Sequence, residues 1–80
     1  MRIRFSPRAR EDLRGIYRFI ARDNVLAARN FSAALKGQVA RLGLNPQAYR
    51  QRPDLGPGVR ACPFGRYLVL YVLENEVLRV

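Results

Sequence analysis

Eighty residues with a formal net charge of +9, a single cysteine and no histidine make one domain with a thin core, since a chain this size buries only about 60–65% of its unfolded surface. An internal disulfide, a histidine acid–base site and a Cys/His zinc site are excluded, and no metal or cofactor is expected. No stretch resembles a secretory leader or approaches the ~20 apolar residues of a membrane helix, so the cytoplasm is the expected compartment and a partner protein the remaining staple for so small a chain.

The chain opens with Arg2-Ile3-Arg4-Phe5, an alternation that predicts a short strand with Ile3 and Phe5 on one face. Ser6-Pro7 then starts a helix: serine is a favoured N-cap and proline suits the first helical position. This helix is predicted over residues 7–22. Ala9, Leu13, Ile16 and Ile20 fall on one face, with Tyr17 at its edge. Glu11 and Asp12 are placed near the positive end of its dipole. Arg10, Arg14, Arg18 and Arg22 recur at every fourth position and form a basic stripe away from the apolar face.

Asn24 caps a second predicted helix, residues 25–42, whose apolar face carries Ala28, Phe31, Leu35, Val39 and Leu42. Gly43 and Asn45-Pro46 are read as its stop. A link this short makes the two helices an antiparallel hairpin. Residues 45–58 hold three prolines and two glycines and form a surface connection. A short strand over residues 59–63 follows, and Pro63-Phe64-Gly65 turns it into the central strand, residues 66–73.

The central strand is apolar on both faces: Tyr67, Val69, Tyr71 and Leu73 alternate with Leu68, Leu70 and Val72. A half-solvated antiparallel strand would alternate apolar with polar. Glu74-Asn75-Glu76 turns the chain into a last strand, residues 77–80. The order predicts an α+β fold of two layers, β-α-α-β-β-β, with an antiparallel sheet packed against a helical hairpin in a single domain over residues 1–80. One hairpin covers one sheet face. The other, either the Tyr67/Tyr71 set or the Leu68/Leu70 set, is left for a partner.

Ordinary catalytic groups are hard to assemble from these residues. Cys62 lies in an apolar strand and reads as a small buried hydrophobe. Gly56-Pro57-Gly58 is no phosphate loop, because no Lys-Ser/Thr pair follows it. Arginine and tyrosine remain. Fourteen of the 15 basic residues are arginine, and the strand arginines Arg60, Arg66 and Arg79, with the stripe on the first helix, are the candidates for meeting a macromolecular target or stabilising negative charge.

The full pattern resembles the ParE/RelE superfamily of bacterial toxin–antitoxin toxins, on the ParE side. Ala9-Arg10, Asp12-Leu13, Ile16 and Phe19-Ile20-Ala21 are similar to the family's first helix. Asn24 with Ala27-Ala28 and Phe31, and Leu42 with Asn45-Pro46, are similar to the start and close of its second. Residues 52–60, RPDLGPGVR, and Pro63-Phe64-Gly65-Arg66-Tyr67 with Tyr71 complete the likeness. The resemblance implies a RelE/ParE-like fold and a toxin of a type II toxin–antitoxin module. A cognate ParD-like antitoxin would wrap and neutralise it, and free toxin would inhibit DNA gyrase without catalysis. Direct nucleic-acid contact is compatible with this and not required by it. The antitoxin is expected on the apolar surface of Leu13, Tyr17, Phe31, Tyr67 and Tyr71. The alternatives are a RelE-like, ribosome-dependent mRNA endoribonuclease, and a non-toxic module that binds an antitoxin or nucleic acid. Such toxins commonly run past the last strand in a short basic tail that carries catalytic groups on the RelE side. Here nothing follows Val80, which weighs against the ribonuclease and puts toxicity of these residues by themselves in question.

Overall fold

The computed structural model describes residues 1–80. Strand β3 (Tyr67–Glu74) is its longest strand and the one on which both hairpins converge. Before it, β2 (Arg60–Phe64) returns through a two-residue turn with Gly65 at φ 59°. Only the first turn position needs positive φ, the type II′ pattern that glycine accommodates and that matches strand twist. After it, β4 (Val77–Arg79) returns through Asn75 (φ 48°) and Glu76 (φ 63°), a type I′ pattern in which neither residue is glycine.

The helices lie where local sequence places them. Helix α1 (Pro7–Ala21) starts at Ser6, whose Oγ accepts from the Ala9 N–H at 3.0 Å. Helix α2 (Val25–Leu44) starts at Asn24, whose Oδ1 accepts from the Ala27 N–H at 3.0 Å. Each such cap contributes about 1 kcal/mol. Two expectations are corrected. Gly43 does not stop α2, which runs to Leu44 with Asn45 as its C-cap. Glycine suits this helical position because β1 crosses close by: a Cβ on Gly43 would lie 3.0 Å from Ile3 Cδ1. Glu11 and Asp12 lie beyond the first turn of α1 and pair with arginines instead, Asp12 with Arg8 at 3.5 Å and Glu11 with Arg14 at 3.7 Å.

The sheet order is β1-β4-β3-β2, where β1 is Arg2–Arg4. The meander β2-β3-β4 is antiparallel, but β1 joins β4 in parallel, so the sheet as a whole is mixed. Parallel pairing follows from the path. The antiparallel helical hairpin carries the chain from β1 over the sheet, and β1 and β4 then run alongside each other, locked by Val80 N–H to Arg4 O at 2.9 Å and Ser6 N–H to Val80 O at 3.1 Å.

The core lies between α2 and the sheet. Val39 and Leu42 of α2 meet Cys62, Val69, Tyr71 and Leu78, all buried. Helix α1 packs chiefly on α2 and has no buried residue. It stands off the sheet, so the hairpin covers the sheet with one helix and not two. A 3-10 turn at Pro53–Leu55 punctuates the connection, where Arg52 and Asp54 form a bidentate pair at 2.8 and 3.0 Å.

Candidate functional site

Because α1 stands away from the sheet, an apolar groove of about 730 Å³ opens between α1, α2 and β3. Leu13, Ile16 and Phe19 line it from α1, Phe31 and Leu35 from α2. Phe31 is held edge-on by two rings: its centroid is 5.5 Å from Phe64 and 5.6 Å from Tyr67, each at 69°. Tyr67, Leu68 and Leu70 bring β3 into the lining. Phe19 is 67% exposed, Leu68 52% and Leu70 42%. In a monomer, apolar side chains so exposed around one concavity mark a binding surface.

The groove runs along an unfinished sheet edge. Strand β4 pairs only with Val72–Glu74 of β3, so residues 67–71 have a neighbour on the β2 side alone. Backbone groups alternate in an antiparallel pair, and the tight turn makes Phe64 and Tyr67 a hydrogen-bonded pair. Hence Tyr67, Val69 and Tyr71 turn their N–H and C=O toward β2, while Leu68 and Leu70 turn theirs outward. An edge that offers outward donors and acceptors beside an apolar groove is suited to an added strand.

Of the five residues expected to meet an antitoxin, three line this groove: Leu13, Phe31 and Tyr67. Tyr71 does not, and its place in that surface is corrected. It is 1% exposed, and its hydroxyl donates to Pro46 O at 3.0 Å. Burial pushes its phenol above the ordinary 10.0. The Tyr67/Tyr71 face is turned toward α2, so the uncovered face is the Leu68/Leu70 set. Tyr67 and Val69 of that face still line the groove, along the stretch of β3 that β4 does not reach. Tyr17 lines a separate concavity, between α1 and α2, together with Arg10, Arg14 and Lys36.

The strand arginines do not form a cluster. Arg60 is half-buried and its Nη1 donates to Tyr49 O at 2.6 Å, fastening the connection to the sheet. Arg66 is exposed beside Gly65 at the β2–β3 turn. Arg79 pairs with Glu74. Arg60 stands opposite Tyr71 and Arg79 opposite Val72. Directly opposed residues share a face, so Arg60 and Arg79 lie on opposite faces of the sheet. Cys62 is free and fully buried; Gln38 Nε2 donates to its Sγ at 3.2 Å, and its interaction with Tyr49 raises that phenol above the ordinary range.

The sequence reading missed Phe19, Phe64 and Lys36. Phe19 carried the available signal: a large aromatic residue outside the apolar face set by Leu13, Ile16 and Ile20. No group of three or more acidic, histidine or cysteine side chains is arranged to hold a metal ion, and no helix is long and apolar enough to cross a membrane.

No curated protein matches the chain. The family model of the ParE toxin of the type II toxin–antitoxin system, parDE, matches residues 3–80. That span begins within β1 and takes in both helices and the other three strands. The chain belongs to the ParE toxin family of type II toxin–antitoxin systems.

Proposed function

We propose that this toxin, when free, inhibits DNA gyrase and blocks replication without catalysis, and that a cognate ParD-like antitoxin neutralises it by filling the groove between α1 and β3. The observation that carries the antitoxin part is the coincidence of the apolar lining, centred on Phe31 and Tyr67, with the outward backbone groups of Leu68 and Leu70. A segment that is extended along β3 and apolar toward α1 satisfies both at once. Family membership and the arginine-rich surface support a macromolecular target, with Arg66 the least engaged of the three arginines because it is neither ion-paired like Arg79 nor hydrogen-bonded like Arg60.

Induction of the chain alone in bacteria, followed by pulse labelling, tests the reading. Thymidine incorporation is expected to fall before methionine incorporation, and purified gyrase is expected to lose supercoiling activity on addition of the protein. A prior fall in methionine incorporation would sink the gyrase reading in favour of a ribosome-dependent ribonuclease. Normal growth with folded protein accumulating would show that these residues carry no toxicity by themselves.

A further inference from the structure

The concavity between α1 and α2, about 390 Å³, differs in chemistry from the apolar groove. Arg10 and Arg14 line it from α1, one helical turn apart. Ser32 and Lys36 line it from α2 at the same spacing, and Tyr17 contributes a ring. No carboxylate is in its lining. Arg10 and Lys36 belong to none of the protein's ion pairs, and Arg14 reaches only the exposed Glu11, at 3.7 Å. An exposed pair of that length adds little. Three cations gathered around one cleft repel one another in the free protein, so the arrangement favours an anion there.

We propose that this cleft binds the phosphodiester backbone of duplex DNA. The cations supply the charge, and the Ser32 hydroxyl supplies a neutral donor of the kind that commonly contacts phosphate oxygens. The stripe continues along α1 through Arg18 and Arg22, both exposed. From Arg10 to Arg22 it spans about 18 Å of helix, enough to meet several phosphates of a duplex. Single-stranded binding draws on exposed rings as stacking platforms, whereas the two rings of this cleft, Phe5 and Tyr17, are both half-buried. Phosphate oxygens alone satisfy these cations and this hydroxyl, so the binding is expected to be independent of sequence. The inference stands apart from the choice of gyrase as target.

Fluorescence anisotropy of a short labelled duplex of mixed sequence, titrated with the full chain over a salt series, tests it. Affinity is expected to fall linearly on a log–log plot. The triple variant Arg10→Gln, Arg14→Gln, Lys36→Gln is expected to bind at least ~10-fold more weakly at low salt, with a slope smaller by about 2 to 3. A control removing the same charge elsewhere, Arg41→Gln, Arg50→Gln, Arg66→Gln, is expected to change the slope by less than about 1. All six positions are exposed, so both variants keep the fold. Equal losses in the two variants would overturn the assignment in favour of diffuse charge. Tighter binding of a single strand than of the duplex, or no binding at low salt, would overturn it as well.

Discussion

Tyr71 joins sequence, packing and titration in one side chain. Its ring lies in the core with Val39 and Leu42, and its hydroxyl reaches through to Pro46 O at the close of α2. Tyr71→Phe keeps the packing and removes the donor, leaving that carbonyl without its partner, and is expected to cost about 1–2 kcal/mol. The pH dependence separates this from a packing fault. Burial holds the folded phenol above 10.0, so below that pH both folded and unfolded states keep the proton and the full stability is present. As pH rises past 10.0 toward the folded value, the unfolded chain loses its proton first, and stability falls through that window. Tyr71→Phe is therefore expected to show lower stability at neutral pH and a shallower loss above pH 10.0 in urea unfolding. An alkaline loss as steep in the variant as in the parent would show that Tyr71 has no part in it.

At the scale of elements, what the sequence made legible was local. Ser6 and Asn24 each cap a helix through one side-chain oxygen, and the Gly65 turn needs one residue with positive φ; such requirements fit within a few consecutive residues. Gly43 was misread because its neighbour, Ile3, is distant in sequence, and a helix stop and a close helix–strand crossing ask for the same small residue. Alternation along β3 sorted its residues into two faces correctly, yet did not say which turns toward α2, since both are apolar. The parallel partner of β1 depends on the whole return path of the chain. The β3–β4 turn carries a prediction of its own. Glu76 holds φ 63° without being glycine, and an L-residue in that region costs about 1 kcal/mol. Glu76→Gly completes the Asn-Gly pair that a type I′ turn favours. It is expected to stabilise the protein by about 0.5–1 kcal/mol, a rise of several degrees in Tm for a domain of this size. A lower Tm would mean that the Glu76 side chain contributes more than its backbone strain costs.

Taken as a whole molecule, the protein covers its sheet with one helix and leaves the second standing over a groove. The core buries Cys62, Val69, Tyr71 and Leu78 against α2, while Leu13, Ile16 and Ile20 of α1 are only half-buried. A second helix that does not reach the sheet contributes little to the core but forms the wall of the groove, so under the proposed mode of neutralisation the apolar residues that weaken the free domain are the ones an antitoxin would cover. This argument singles out Leu68 and Leu70, which take no part in the core, being 52% and 42% exposed, yet lie on the open edge of β3. Leu68→Lys with Leu70→Lys is expected to leave thermal stability within about 1 kcal/mol of the parent, because surface substitutions remote from the core rarely do more. Lysine on an edge strand also discourages strand-to-strand association, so the variant is expected to self-associate no more than the parent in sedimentation. Burying a leucine stabilises a complex by about 1.5–3 kcal/mol. Losing two at the groove is expected to weaken antitoxin binding at least ~100-fold by calorimetry, since every 1.4 kcal/mol is tenfold. If the lysine variant bound antitoxin as tightly as the parent, the partner would have to lie elsewhere, and the open edge of β3 would be a property of the free toxin rather than its site of neutralisation.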